Sequence, residues 1–260
     1  MQLTQPRVID WIEGAVNFRD FGGYPTQDGR MVRQGVLYRS GNTHGISAEG
    51  VATVAEKLGI RNVIDLRGDQ ERARGLTAFE DHGIRTIHEP LDTGLGGDPS
   101  VPSDEWIRQM AMGTFDWPSM YWTMLDLSRS SICRILDVLA DGTPALIHCA
   151  GGRDRTGVTV AMVQAALGVD VSDIASDYAL SSQLLNLGGP RPDFDRLFGG
   201  LDLPRDEIVK NMATLPSTVY DLFERIDAAH GDIDGLMCAL GVEEETLLKL
   251  RANLLEPIAY

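Results

Sequence analysis

Apolar and polar positions change rhythm repeatedly along the 260-residue chain. Val36–Tyr38, Asn62–Leu66 and Ala145–Ile147 are short apolar runs, which predict buried strands. Gly83–Glu89 alternates and predicts another strand. Between these runs the period becomes helical. Ser47 caps a predicted helix that places Val51, Val54, Ala55 and Leu58 on one face before Gly59 ends it. Asp104–Met112 and Pro118–Leu139 are amphipathic, the second with Tyr121, Trp122, Leu125, Ile132, Ile135, Leu136 and Leu139 in one stripe. From Gly157 to Leu167 few positions are polar, as in a buried helix. Further helices are predicted from Ser172 or Asp173 to about Asn186, over Ser217–His230 and over Gly241–Leu255. Gly188–Pro192 interrupts the series, and 193–213 alternates charge with Phe194, Leu197, Phe198, Leu201, Ile208 and Met212. Residues 1–13 read as a lead-in, and 93–104 as a Gly/Pro/Ser-rich loop.

Chemistry concentrates where the strand Ala145–Ile147 meets the helix after Gly157. The junction contains His148, Cys149, Ala150, Gly151, Gly152, Arg153, Asp154, Arg155 and Thr156. A loop opening onto a helix start leaves backbone N–H groups unpaired and aimed into one space, at the positive end of the helix dipole. That is an anion site. Glycines let the backbone approach a ligand closely. Arg155 can present a planar fork to two phosphate oxygens. Cysteines at helix N-termini beside cations react as thiolates. A phosphate cradle with a thiolate at its floor points to phosphoryl transfer through a cysteinyl phosphate. A nucleotide P-loop does not fit, because Gly152–Gly157 lacks the Lys-Ser/Thr pair that grips phosphates and magnesium.

HCAGGRDRTG at 148–157 resembles the signature of the Cys-based protein tyrosine and dual-specificity phosphatases, most closely their atypical bacterial branch, the one known from mycobacteria. Arg153 stands where that branch usually has Lys, a residue associated there with phosphoinositide activity. Asn17–Gly23, Gly35–Gly41 and Asp65–Leu66–Arg67 also match, the first two as buttresses of the fold. The strand–helix alternation with this resemblance implies one α/β phosphatase-like domain over 1–260: a central, mostly parallel sheet flanked by helices, with a helical C-terminal part whose residues 188–215 form a candidate lid.

The resemblance also implies roles. Cys149 is the nucleophile, residues 150–156 bind phosphate, and Thr156 donates to the departing thiolate. His148 orders the loop. Asp154 is the general acid by its place in the motif, and Asp92, on the loop after the Gly83–Glu89 strand, is the alternative acid by position. A turn-forming Asp is the other reading of Asp92. Asp65 and Arg67 are supporting residues behind the loop, or equally a helix cap and a solvated cation. Arg19 and Asp20, between Phe18 and Phe21, read as a charged pair packed by aromatics. The implied substrates are phosphorylated proteins, phosphotyrosine first and phosphoserine/threonine second, or phosphoinositides, with neither cofactor nor metal. The rival readings are a phosphate-reading pseudophosphatase and a sulfurtransferase that also uses a loop Cys.

Charge and composition narrow the partners. A net charge of −15 argues against nucleic acid and anionic membranes. It also repels phosphorylated substrates at long range, so attraction must be local, centred on Arg153 and Arg155. No apolar run approaches a membrane span, and MQLTQPRVIDWIEG has neither a basic start nor an apolar core. A cytoplasmic location is the expectation. Cys133, Cys149 and Cys238 have neither disulfide nor metal-ligand spacing, and Cys133 and Cys238 read as core residues.

Overall fold

The computed structural model describes residues 7–96, 103–186 and 192–258. The start of the lead-in (1–6), the middle of the 93–104 loop (97–102) and residues 188–191 of the predicted interruption lie outside them. In chain order the elements are β1 (Arg7–Val8), β2 (Arg19–Asp20), β3 (Arg30–Val32), β4 (Leu37–Ser40), α1 (Ala48–Glu56), β5 (Asn62–Asp65), α2 (Asp69–Arg72), a 3-10 turn (Glu80–His82), β6 (Arg85–His88), α3 (Asp104–Met112), α4 (Trp117–Leu127) and α5 (Arg129–Ala140). They continue with β7 (Ala145–His148), α6 (Asp154–Ala166), α7 (Val171–Leu184), α8 (Pro192–Phe198), α9 (Arg205–Asn211), α10 (Pro216–His230), α11 (Ile233–Leu240), α12 (Glu244–Leu254) and β8 (Leu255–Pro257).

Six strands form one sheet in the order β1-β2-β4-β7-β5-β6. Strands β4, β7, β5 and β6 run parallel, and β1 and β2 add an antiparallel edge. The mostly parallel α/β sheet expected from the sequence is therefore present. Successive side chains of a strand point to opposite faces. Val63 and Leu146 join Val51 and Val54 of α1 in one core, while Ile64 and Ile147 join α4, α5 and α6 in the larger core on the other face. A third, small cluster of Ala111, Phe194, Phe198 and Ile208 holds α3, α8 and α9 together.

Several elements depart from the sequence reading. The lead-in supplies β1, and Ile9 and Ile12 are buried. The long helix predicted over Pro118–Leu139 is two, broken at Ser128. The hydroxyl of Ser128 accepts a hydrogen bond from the Asp92 N–H at 2.9 Å. Helix α11 lies between the helices predicted over Ser217–His230 and Gly241–Leu255. It buries Leu236, Met237 and Leu240, which turns Cys238 outward, so Cys238 is exposed and Cys133 only half-buried rather than both being core residues. Arg19 and Asp20 do not pair: adjacent strand residues face opposite ways. Asp20 instead accepts from the backbone N–H groups of Gly22 and Gly35 at 2.8 and 2.7 Å.

Candidate active site

The sheet register creates the site. Ser40 and Asp65 both lie level with His148 across β7, so the chain leaves three adjacent parallel strands at one edge. Ligands bind beyond the carboxyl ends of such strands. Here the three exits are Gly41–Asn42, Leu66–Arg67 and the loop that begins at Cys149. They are stitched together by Asn42 N–H to the Ala150 carbonyl at 2.8 Å and Leu66 N–H to the His148 carbonyl at 2.9 Å.

Helix α6 begins at Asp154, three residues before the sequence pattern suggested, and its first i to i−4 bond runs from Gly157 N–H to the Arg153 carbonyl. The N–H groups of Asp154, Arg155 and Thr156 thus have no carbonyl of their own turn to bond. The apolar pattern could not reveal this, because the first turn carries the polar residues that serve the loop. Cys149 is buried at the floor, and the Gly152 N–H donates to its Sγ at 3.2 Å. Gly152 has φ +66°, and a Cβ there would stand 2.5 Å from the Ser40 carbonyl oxygen. Only glycine fits.

The outer side of the loop is held by a buried network. Asn17 donates to the Gly152 carbonyl at 2.9 Å and to that of Gly151 at 3.3 Å, and Arg39 donates to the Gly152 carbonyl at 2.8 Å. Asp177 accepts from Arg19 Nε at 2.9 Å and from Arg39 Nη1. Arg19 closes the circuit on the Asn17 side-chain oxygen. Arg19, Arg39 and Asp177 are at most 1% exposed. Burial pushes the Asp177 carboxyl up, but Arg19 and Arg39 outweigh it and hold it below its ordinary range. Burial and the neighbouring Arg19 charge lower Arg39 to about 10, against the pull of Asp177.

Arg155 grips Glu71: Nη2 donates to Oε1 at 2.7 Å and Nη1 to Oε2, and Nη1 also donates to the Leu66 carbonyl at 3.3 Å. Of the five N–H bonds of a guanidinium, this leaves Nε–H and one Nη2–H without a partner among the described residues. These two lie on the same edge of the plane and match two phosphate oxygens. Burial opposes the charge on Arg155, but its hydrogen bonds to Glu71 lead the contacts that outweigh burial and raise its pKa. Glu71 was missed in the sequence. Its signal was an acidic residue at the third position of α2, whose carboxylate also accepts from the Gly68 N–H at 3.0 Å.

Asp65 and Arg67 form a buried bidentate pair, with Nε to Oδ1 at 2.9 Å and Nη2 to Oδ2 at 2.8 Å, and Arg67 reaches on to Asn42 at 3.1 Å. The solvated-cation alternative for Arg67 is thereby set aside. His148 lies behind the loop, 3.7 Å from Asp65. Burial pushes its pKa down to about 4, against the pull of Asp65, so the ring is neutral at pH 7. The Thr156 hydroxyl is buried without a hydrogen-bond partner among the described residues.

Asp154 lines the cavity. Its Oδ1 accepts from Tyr121 OH at 2.7 Å and from Arg153 Nε at 3.0 Å. Arg153 also lines the cavity. It donates to the Met212 carbonyl at 3.0 Å and stacks on Trp117, 4.3 Å from the ring centre. Asp92 is not brought to the site: it is exposed, and its carboxylate accepts from Gly94 N–H at 2.9 Å in a turn. That is the turn-forming reading of this residue.

Above the loop lies a cavity of about 550 Å³. Arg67, Arg153, Asp154 and Arg155 occupy its base, and Trp106, Phe115, Trp117, Phe194, Phe198 and Met212 its walls and roof. The roof belongs to the α3, α8 and α9 cluster. Among the described residues no group of three His, Cys, Asp or Glu side chains could hold a metal ion, and no helix is long and apolar enough to cross a membrane.

The chain is similar to known phosphatases. A tyrosine-protein phosphatase of Cupriavidus necator is 32% identical over 173 residues, 64% of this chain; the match spans 60% of that relative's length. The triple specificity protein phosphatase PtpB of Mycobacterium tuberculosis is 25% identical, over 94% of this chain and 98% of its own. Among solved structures, TpbA of P. aeruginosa aligns with a TM-score of 0.39 at 17% identity, covering 92% of this chain and 98% of that one. The model of the tyrosine phosphatase family matches residues 11–256, a span that takes in the Asn17 buttress, the Cys149–Arg155 loop and the roof helices together, and the chain is a member of that family.

Proposed function

We propose that the chain hydrolyses phosphomonoesters through a cysteinyl-phosphate intermediate. The observation that carries this reading is the convergence on one loop of the buried Cys149 sulfur, the unpaired edge of Arg155 and the cavity-lining Asp154. Phosphate enters the loop with its oxygens on the backbone N–H groups and the Arg155 edge. The Cys149 thiolate attacks phosphorus, the S–P bond forms, and the P–O ester bond breaks. Asp154 gives its proton to the leaving oxygen. Water then attacks the phosphocysteine, Asp154 takes up the water's proton, and inorganic phosphate leaves as the thiolate is regenerated. The free Thr156 hydroxyl is available to donate to the departing sulfur.

Phosphotyrosine is the preferred substrate in this reading, because Trp106, Phe115, Trp117 and Phe198 offer an aromatic wall to its ring. Phosphoserine/threonine and phosphoinositides rank behind it; the Arg153 guanidinium is already committed to Asp154, Met212 and Trp117. The printed name of PtpB, a triple specificity phosphatase, is a reason to assay the three classes side by side. We take 1–260 as one domain in which the α8 and α9 region acts as a lid over the loop.

The test is hydrolysis of p-nitrophenyl phosphate, under reducing conditions with chelator, by the wild type and Cys149→Ser. Turnover abolished by the substitution supports the mechanism. Phosphate binding without turnover would replace it with the pseudophosphatase reading.

A further inference from the structure

Tyr121 and Tyr178 lie outside the loop motif, yet they end on its acid. The Tyr121 OH is 2.7 Å from Asp154 Oδ1 and 2.6 Å from the Tyr178 OH. A phenol has one proton to give. A carboxylate can only accept, so Tyr121 spends its proton on Asp154, and Tyr178 must donate to the Tyr121 oxygen. The order Tyr178, Tyr121, Asp154 is thus fixed. Burial, then the neighbouring Asp154 charge, raises both phenol pKa values above their ordinary value, so both tyrosines stay protonated donors. Arg153 Nε adds a second donor to the same Oδ1 at 3.0 Å. Oδ2 has no partner among the described residues, on a residue that lines the cavity.

We propose that Tyr121, backed by Tyr178 and joined by Arg153, is a positioning residue that makes Asp154 a one-sided acid. With two donors on Oδ1, the proton of the neutral acid resides on Oδ2. When that proton passes to the leaving oxygen, the charge left behind lies on the oxygen that Tyr121 and Arg153 already solvate. No repacking is needed at the moment of transfer. The same contacts reach the roof. Arg153 binds the Met212 carbonyl just past α9, so the acid's orientation and the position of the roof share one guanidinium. This inference rests on the phosphatase reading, with Asp154 as acid.

The test compares Tyr121→Phe with the wild type on p-nitrophenyl phosphate, whose leaving group departs without help, and on benzyl phosphate, whose alkoxide needs a proton. kcat/KM covers the steps through P–O cleavage and isolates the acid's contribution. Tyr121→Phe should lose about 10- to 100-fold in kcat/KM on benzyl phosphate, the span expected for a hydrogen bond to a charged group. On p-nitrophenyl phosphate it should stay within about twofold. Competitive inhibition by inorganic phosphate should not change. Tyr178→Phe, which spares the bond to Asp154, should show the same selectivity with a smaller loss, and it tests the inference if Tyr121→Phe folds poorly. Equal losses on both substrates, or none on either, would overturn the positioning role while leaving the phosphatase reading intact. No wild-type turnover of either substrate would overturn that reading and this inference with it.

Discussion

Replacing Asp177 with Ala tests whether the network behind the loop is as dry and as essential as it looks. Its carboxylate accepts from Arg19 and Arg39, and all three residues are at most 1% exposed. Removing the carboxylate strands two buried guanidinium groups. Breaking a buried ion pair from one side costs about 3–5 kcal/mol, against a total stability of about 5–15 kcal/mol for a typical domain. At roughly 2–4 °C per kcal/mol for a chain of this size, the melting temperature should fall by roughly 6–20 °C. Asp177→Asn should recover little, since its amide NH₂ would face an arginine donor-to-donor. The assay is thermal melting by circular dichroism, repeated across pH. Asp177 is held below its ordinary range, so its stabilisation is complete above the unfolded carboxylate value of about 3.9 and is lost as pH falls through the lower folded value. The gap between wild type and variant should therefore persist from neutral pH to about 5 and close only in stronger acid. A drop under about 2 °C at pH 7 would refute the reasoning, because it would mean that the arginines find water.

Three further outcomes follow from the geometry. Glu71→Gln offers Arg155 one oxygen in place of two, so the guanidinium loses its fixed plane; inhibition by inorganic phosphate should weaken and kcat/KM fall by about 10-fold or more, and unchanged phosphate affinity would count against the free-edge argument. Gly152→Ala must fit a Cβ 2.5 Å from the Ser40 oxygen at φ +66°, which should cost about 1–3 kcal/mol in strain alone and abolish turnover; a stable, active variant would show that the loop can move. His148 has its pKa pushed down to about 4 in the fold against about 6.5 unfolded, so the unfolded chain binds more protons in that window and wild-type stability should decline as pH falls from about 6.5 to 4 by roughly 2–4 kcal/mol. His148→Asn should flatten that decline in urea titrations, and an unchanged slope would place the effect elsewhere.

What the sequence made legible was contiguous. The Cys149–Arg155 loop carries its geometry in its own spacing, because strand, glycines and helix start all lie within a few residues of the sulfur. The buried strands were legible for the same reason: Val63 and Ile64 declare two covered faces side by side. The supporting residues were not legible, because their partners are remote. Glu71 meets Arg155 across 84 positions, and Arg19 meets Asp177 across 158. No local period encodes such pairs. Faint signals existed in hindsight. Asp177 sits on the buried face of α7 between Ile174, Tyr178 and Ser181, where an unpaired charge would be costly, so a partner was required. Tyr121 read as one more core aromatic, and only its hydroxyl, which a buried tyrosine must satisfy, hinted at Asp154.

The balance of buried charge explains why fold and chemistry share residues here. Arg19, Arg39, Arg67, Arg153 and Arg155 are all buried around the loop, bound to the carboxylates of Asp65, Glu71, Asp154 and Asp177. Five cations face four carboxylates. A chain with a net charge of −15 cannot draw phosphate from afar, since fields at its surface are screened within about 8 Å; it must keep its cations close and dry. Dry cations need partners, and each partner comes from a different element: β5, α2, α6 or α7. Deleting any one of these carboxylates therefore strands an arginine and injures stability and turnover together. Cys149→Ser differs in kind. It leaves every arginine–carboxylate pair in place and removes only the proposed nucleophile, so a folded, phosphate-binding, inactive Cys149→Ser protein is the variant that separates the chemistry of the loop from the charges that build it.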